Sequence, residues 1–70
     1  MPHPFISSVR EIREKAKYSQ TAAAALAGVA PGTWVRYELD RGAVSNARRE
    51  SCDQAAAKLL EIARQRTEAA

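Results

Sequence analysis

Histidine and cysteine each occur once in the 70 residues, and that scarcity removes whole classes of chemistry. A single thiol cannot close an internal disulfide, and His3 with Cys52 cannot assemble a zinc site from the usual ligands. One imidazole, one thiol and no converging carboxylates leave neither a general acid–base pair nor a nucleophile dyad, so no catalytic residue, no metal and no cofactor are expected. No apolar run approaches the 18 residues of a membrane span, and the N-terminus lacks a charged-then-apolar signal pattern. The expectation is a cytoplasmic chain with no membrane partner. Glycine and proline number only three each and aromatics make up 6%, with few β-branched residues, so no strand pattern of period two can be sustained.

What the chain has in excess is alanine, 15 residues of it, within a 46% apolar composition. That composition predicts an all-α bundle of four to five short helices. Cys52 at helical spacing reads as a small core hydrophobe in a reducing compartment. The net charge of +3 is compatible with a nucleic-acid partner without being an argument for one. At this size the surface buried on folding barely offsets the conformational entropy lost, so a second copy of the chain is the expected source of extra burial.

Local signals divide the chain. Residues 1–7, with two prolines around His3, read as an N-terminal arm. Ser8-Val9-Arg10-Glu11 is a capping box, and Phe5, Val9, Ile12 and Ala16 share one helical face, which predicts a helix over about 8–17. Ser19 is an N-cap for a second helix, about 20–27, closed by Gly28. Pro31 suits the first position of a third, about 31–39, with Trp34 and Tyr37 on its inner face. Residues 40–45 read as a loop. Beyond them, helix propensity runs through 45–66, with Ser51-Cys52-Asp53-Gln54 able to divide it in two. Cys52, Ala56, Leu59 and Ala63 form its apolar stripe, and whatever of Leu59, Leu60 and Ile62 stays exposed is the candidate dimer surface. Residues 67–70 are expected to fray, which makes 8–66 the single domain.

Two short helices joined by a glycine turn form a helix-turn-helix unit. Ser19, Gln20, Ala24, Gly28, Val29, Thr33, Trp34, Arg36, Tyr37 and Glu38 stand in register with the pattern of the lambda-repressor-like (Cro and XRE-type) family, and Arg13 lies six residues before Ser19 as in that family. The chain resembles it over about residues 6–42. The resemblance implies a helix-turn-helix DNA-binding domain whose third helix reads base edges through Pro31, Gly32, Thr33, Val35 and Arg36, with Leu39 also facing outward. It also implies phosphate contact by Gln20 and a structural ion pair between Arg13 and Glu38. Arg41, Arg48 and Arg49 follow the reading helix and are further phosphate candidates. Core positions are Val9, Ile12, Ala24, Val29, Trp34, Tyr37 and Leu59.

The sequence departs from the family pattern where relatives often carry polar side chains. Pro31 and Gly32 offer none, so direct readout falls to Arg36, bidentate to guanine, and to Val35 against a thymine methyl. Gly32 would permit close backbone approach. Ala30 lacks the hydroxyl of a good N-cap.

The function these residues imply is a sequence-specific double-stranded DNA-binding transcriptional repressor of phage or bacterial type. It would be a homodimeric, nucleoid-associated autorepressor occluding an inverted-repeat operator, with no small-molecule effector. Compact phage regulators, including those accompanying anti-CRISPR genes, are of this size, which makes an anti-CRISPR operon one setting. The alternative is an antitoxin that binds a toxin partner and its own promoter.

Overall fold

The computed structural model describes residues 8–69, with side chains as far as Thr67. The arm at 1–7, with His3 and Phe5, lies outside the described residues, as does Ala70. The chain folds as an all-α bundle: α1 (Val9–Lys15), α2 (Gln20–Ala27), α3 (Pro31–Leu39), a 3₁₀ turn (Arg41–Ala43) and α4 (Asn46–Ala69). No strand occurs among the described residues.

Each helix end has a local cause. Ser8 Oγ accepts from the Glu11 amide at 3.1 Å and starts α1. The helix stops at Lys15, two residues earlier than its propensity suggests, because Lys17 takes a left-handed φ of 64°. The Tyr18 amide then donates to the Arg13 carbonyl and the Lys17 amide to that of Glu14, the paired bonds of a Schellman turn. The same motif closes α2, where Gly28 has φ 73°, Val29 donates to Ala24 and Gly28 donates to Ala25. Glycine suits that geometry, whereas lysine is strained in it. Ser19 Oγ caps α2 through the Ala22 amide at 3.0 Å. In α3, Pro31 occupies the first turn, where its missing N–H costs nothing, and Ala30 provides no side-chain cap bond.

α4 is one helix of 24 residues, so the bundle has four helices and the last is long. Ser51 does not start a new helix: its hydroxyl donates back to the Ala47 carbonyl at 3.4 Å, leaving the backbone ladder intact. Thr67 does the same toward Ala63 at 3.0 Å, and the helix continues to Ala69 where fraying was expected from residue 67.

α4 packs along α1 and α2, and α2 against α3. Trp34 is fully buried at the centre, with Ala16, Ala23, Ala24, Ala55 and Ala63 among its companions in the core. The small alanine side chains let the helices close around one large ring. Tyr37 lies beside it, the ring centroids 5.2 Å apart. Val9, Ile12 and Val29 are partly buried against this core, while Ala24 and Leu59 are inside it. The inward line of α4 is Cys52, Ala55, Leu59 and Ala63, so Ala55 takes the place expected of Ala56, which is half-buried. Two of the three dimer candidates are therefore committed inward. Leu59 is 0% exposed and Ile62 packs partly against the core; Leu60, at 47%, remains at the surface.

Candidate nucleic-acid interface

One carboxylate ties α3 to α1 and α2. Glu38 Oε2 accepts from Arg13 Nε and from Trp34 Nε1, both at 2.5 Å, and Oε1 accepts from Gln20 Nε2 at 3.3 Å. Arg13 Nη1 also donates to the Tyr18 carbonyl at 2.8 Å. This cluster joins the middle of α1, the α1–α2 turn, the first residue of α2 and the last turn of α3. Arg13 and Glu38 thus form the ion pair that the resemblance implies, and Gln20 spends an amide proton on it.

With Trp34 and Tyr37 facing inward, the outer strip of α3 carries Pro31, Gly32, Arg36 and Leu39, with Thr33 and Val35 half-buried at its edges. Leu39 is 83% exposed. A Cβ built on Gly32 would meet nothing within 4 Å, and its φ is not positive, so neither packing nor backbone conformation requires glycine there. Two shallow depressions flank the strip. One, of about 180 Å³, is lined by Thr33, Arg36, Ala43, Val44, Ser45 and Arg48. The other, of about 290 Å³, lies between Arg10, Arg13 and Gln20 on one side and Val35, Glu38 and Leu39 on the other.

The arginines around the strip divide into two groups. Arg36 and Arg48 are exposed and have no hydrogen-bond or ion-pair partner among the described residues. Arg41 and Arg49, expected with them at phosphate, are held within the fold. Arg49 Nη2 donates to the Val44 carbonyl at 3.1 Å and to Asn46 Oδ1 at 2.9 Å, tying down the entry to α4. Arg41 donates twice to one carboxylate, Nε to Asp53 Oδ1 at 2.9 Å and Nη2 to Oδ2 at 2.6 Å. The Tyr37 hydroxyl donates to the same Oδ1 at 2.5 Å. The sequence places Asp53 in the helical stretch after residue 45 but does not mark its pairing with Arg41 and Tyr37. Separations of 12 and 16 residues follow no helical period, and nothing local marks the pairing.

The electrostatics follow the geometry. The Arg41 hydrogen bonds are the largest influence on Asp53 and outweigh its desolvation, lowering its pKa to about 2. Burial, then the bond to Asp53, pushes the Tyr37 phenol well above its ordinary value. Burial raises the Cys52 thiol, which suits a core residue and not a nucleophile. No three His, Cys, Asp or Glu side chains gather into a metal-binding group among the described residues, and no described helix is long and apolar enough to cross a membrane.

Comparison with protein-family models, with curated proteins and with solved structures yields no match, so the residues themselves carry the functional reading.

Proposed function

We propose that the chain is a sequence-specific double-stranded DNA-binding repressor that places α3 in the major groove, binding as a homodimer to an inverted repeat. The observation that carries the reading is that Arg36 and Arg48, which both line the Thr33–Ser45 depression, have no partner among the described residues, while neighbouring Arg41 and Arg49 have partners within the fold. An unpaired guanidinium on an exposed helix face is suited to bidentate contact with guanine O6 and N7. A second one in the first turn of α4, lining the same depression, suits a phosphate, which positions the protein without reading sequence. Pro31 and Gly32 add no polar group, and the open space at Gly32 lets the start of α3 lie close to the groove floor. The Arg13–Glu38–Trp34 cluster supports this function by holding α3 rigidly on α1 and α2. Leu60 on α4 is the remaining apolar contact for a second copy.

The two arginines have different expected signatures. Arg36→Ala lowers affinity for the preferred sequence by about 1–3 kcal/mol and relaxes one base position. Arg48→Ala weakens all duplexes alike and reduces the slope of log Kobs against log salt by about 0.9. Fluorescence anisotropy titrations of both variants against specific and random duplexes separate these outcomes. If neither substitution changes binding to any duplex, α3 does not face DNA.

A further inference from the structure

The contacts of Asp53 extend this reading in a direction that the free arginines do not. Arg41 opens the 3₁₀ turn directly after α3, within the run that leads to Arg48. The turn is braced from inside, because Asp40 Oδ1 accepts from the Gly42 amide at 3.0 Å. Arg41 is therefore a cation on a fixed stalk beside the reading helix. Its fork is nonetheless closed on both oxygens of Asp53, at 2.9 and 2.6 Å. Tyr37, a core residue of α3, donates its hydroxyl to the same carboxylate and holds it in place from behind.

We infer that Asp53 masks Arg41: an internal carboxylate occupies the guanidinium that would otherwise contact a DNA phosphate, and so limits how many phosphates each protomer neutralises. The inference rests on the DNA-binding reading and adds to it a residue that tunes affinity without touching DNA. Three features support it. The pairing is bidentate, the mode in which arginine also grips phosphate, so Asp53 and a phosphate compete for the same donors. The pair lies at the surface, with the Arg41 side chain 59% and the Asp53 side chain 37% exposed, so the fork is reachable from solvent. Asp53 stays ionised through the physiological range and Tyr37 stays a donor, so the mask is present whenever the protein is folded at neutral pH. The outcome is a binder whose non-specific grip on DNA is weakened while Arg36 remains free to discriminate sequence.

The test uses Asp53→Asn in the full chain, because asparagine keeps an oxygen for the Tyr37 hydroxyl and loses the charge that holds Arg41. Binding to a fluorescein-labelled pool of random-sequence duplexes is measured across a salt series. The expected result is a slope of log Kobs against log salt steeper by about 0.9, the signature of one additional phosphate contact, and affinity higher by about five- to tenfold at 0.1 M salt. Arg41→Ala is expected to change little in the parent background, and to abolish the gain when combined with Asp53→Asn. An Asp53→Asn gain that survives removal of Arg41 would reflect only the loss of a negative charge and would overturn the inference. So would Arg41→Ala lowering the slope by about 0.9 in the parent, since Arg41 would then already contact phosphate; that second arm does not depend on Asp53→Asn folding. A parent chain with no salt-dependent duplex binding refutes the DNA reading itself, whereas parent binding with an unchanged Asp53→Asn slope refutes the mask alone.

Discussion

Glu38→Ala perturbs a carboxylate that joins three helices. Its carboxylate accepts three side-chain hydrogen bonds, and the Arg13 and Glu38 side chains are only 10% and 5% exposed. Truncation leaves the Arg13 guanidinium in the interior with the Tyr18 carbonyl as its sole remaining acceptor among the described residues. Breaking a buried ion pair from one side costs about 3–5 kcal/mol, because the surviving charge is no longer compensated. The orphaned Trp34 Nε1–H falls within the same loss and is not added to it. A 70-residue domain has about 4–10 kcal/mol of total stability, so the substitution removes between about a third and all of it at 25 °C. Glu38→Gln keeps an oxygen and loses only the charge, and should fall between the two. Replacing both partners, Arg13→Met with Glu38→Leu, should recover most of the loss, since an apolar pair of similar volume leaves no buried charge. Urea denaturation followed by far-ultraviolet circular dichroism and by Trp34 fluorescence reads all of these. With a slope of about 1 kcal/mol per molar urea, a loss of about 3 kcal/mol shifts the midpoint by about 3 M. A Glu38→Ala protein within about 1 kcal/mol of the parent would show that the cluster does not hold α3 in place.

Further predictions concern helix ends and pH. Gly28→Ala should cost about 1 kcal/mol in thermal unfolding, and solely through its φ of 73°, because the new methyl group meets nothing within 4 Å. Ala30→Ser should raise stability by about 0.5–1 kcal/mol by giving α3 the side-chain cap bond it lacks, while leaving the circular dichroism spectrum unchanged. Because the folded pKa of Asp53 is depressed to about 2 from 3.8, its contribution is complete above pH 4 and is lost as pH falls from there toward 2. Asp53→Asn should flatten that acid limb in a pH-dependent melting series. Tyr37 has the opposite sense. Its raised pKa means that the unfolded chain ionises first, so stability falls as pH rises through 10, and Tyr37→Phe should remove this alkaline loss.

The parts of the fold that could be read in the sequence are those with local causes. Ser19, Gly28 and Pro31 each act through their own backbone or a neighbour's amide, and α2 and α3 begin and end where those residues place them. The early end of α1 was not legible, because lysine has no preference for a left-handed φ. The bonds around Lys17, the Schellman pair and Arg13 donating to the Tyr18 carbonyl, lie within residues 13–18 but follow no residue preference that marks them. Ser51 was ambiguous for a related reason: the same hydroxyl can cap a helix or bond back to the preceding turn, and the tetrad around it does not decide which. On α4, Ala55 and Ala56 differ by one step of about 100° around the axis, as do Leu59 and Leu60. Assigning the inward member needs the positions of Trp34 and α1, which only the assembled fold supplies. The same limit applies at the interface. The outer strip of α3 follows from its spacing, but whether an arginine beside it is free depends on residues far along the chain, as Asp53 shows for Arg41.

The central claim, that the outer strip of α3 reads duplex DNA, is tested most directly by selecting bound sequences from a random duplex pool with the purified protein. The expected result is enrichment of an inverted repeat whose half-sites contain guanine and lie about 34 Å apart or a multiple of it, with the guanine preference lost in Arg36→Ala. A pool that stays random after repeated rounds, or an enriched motif unchanged by Arg36→Ala, would contradict it.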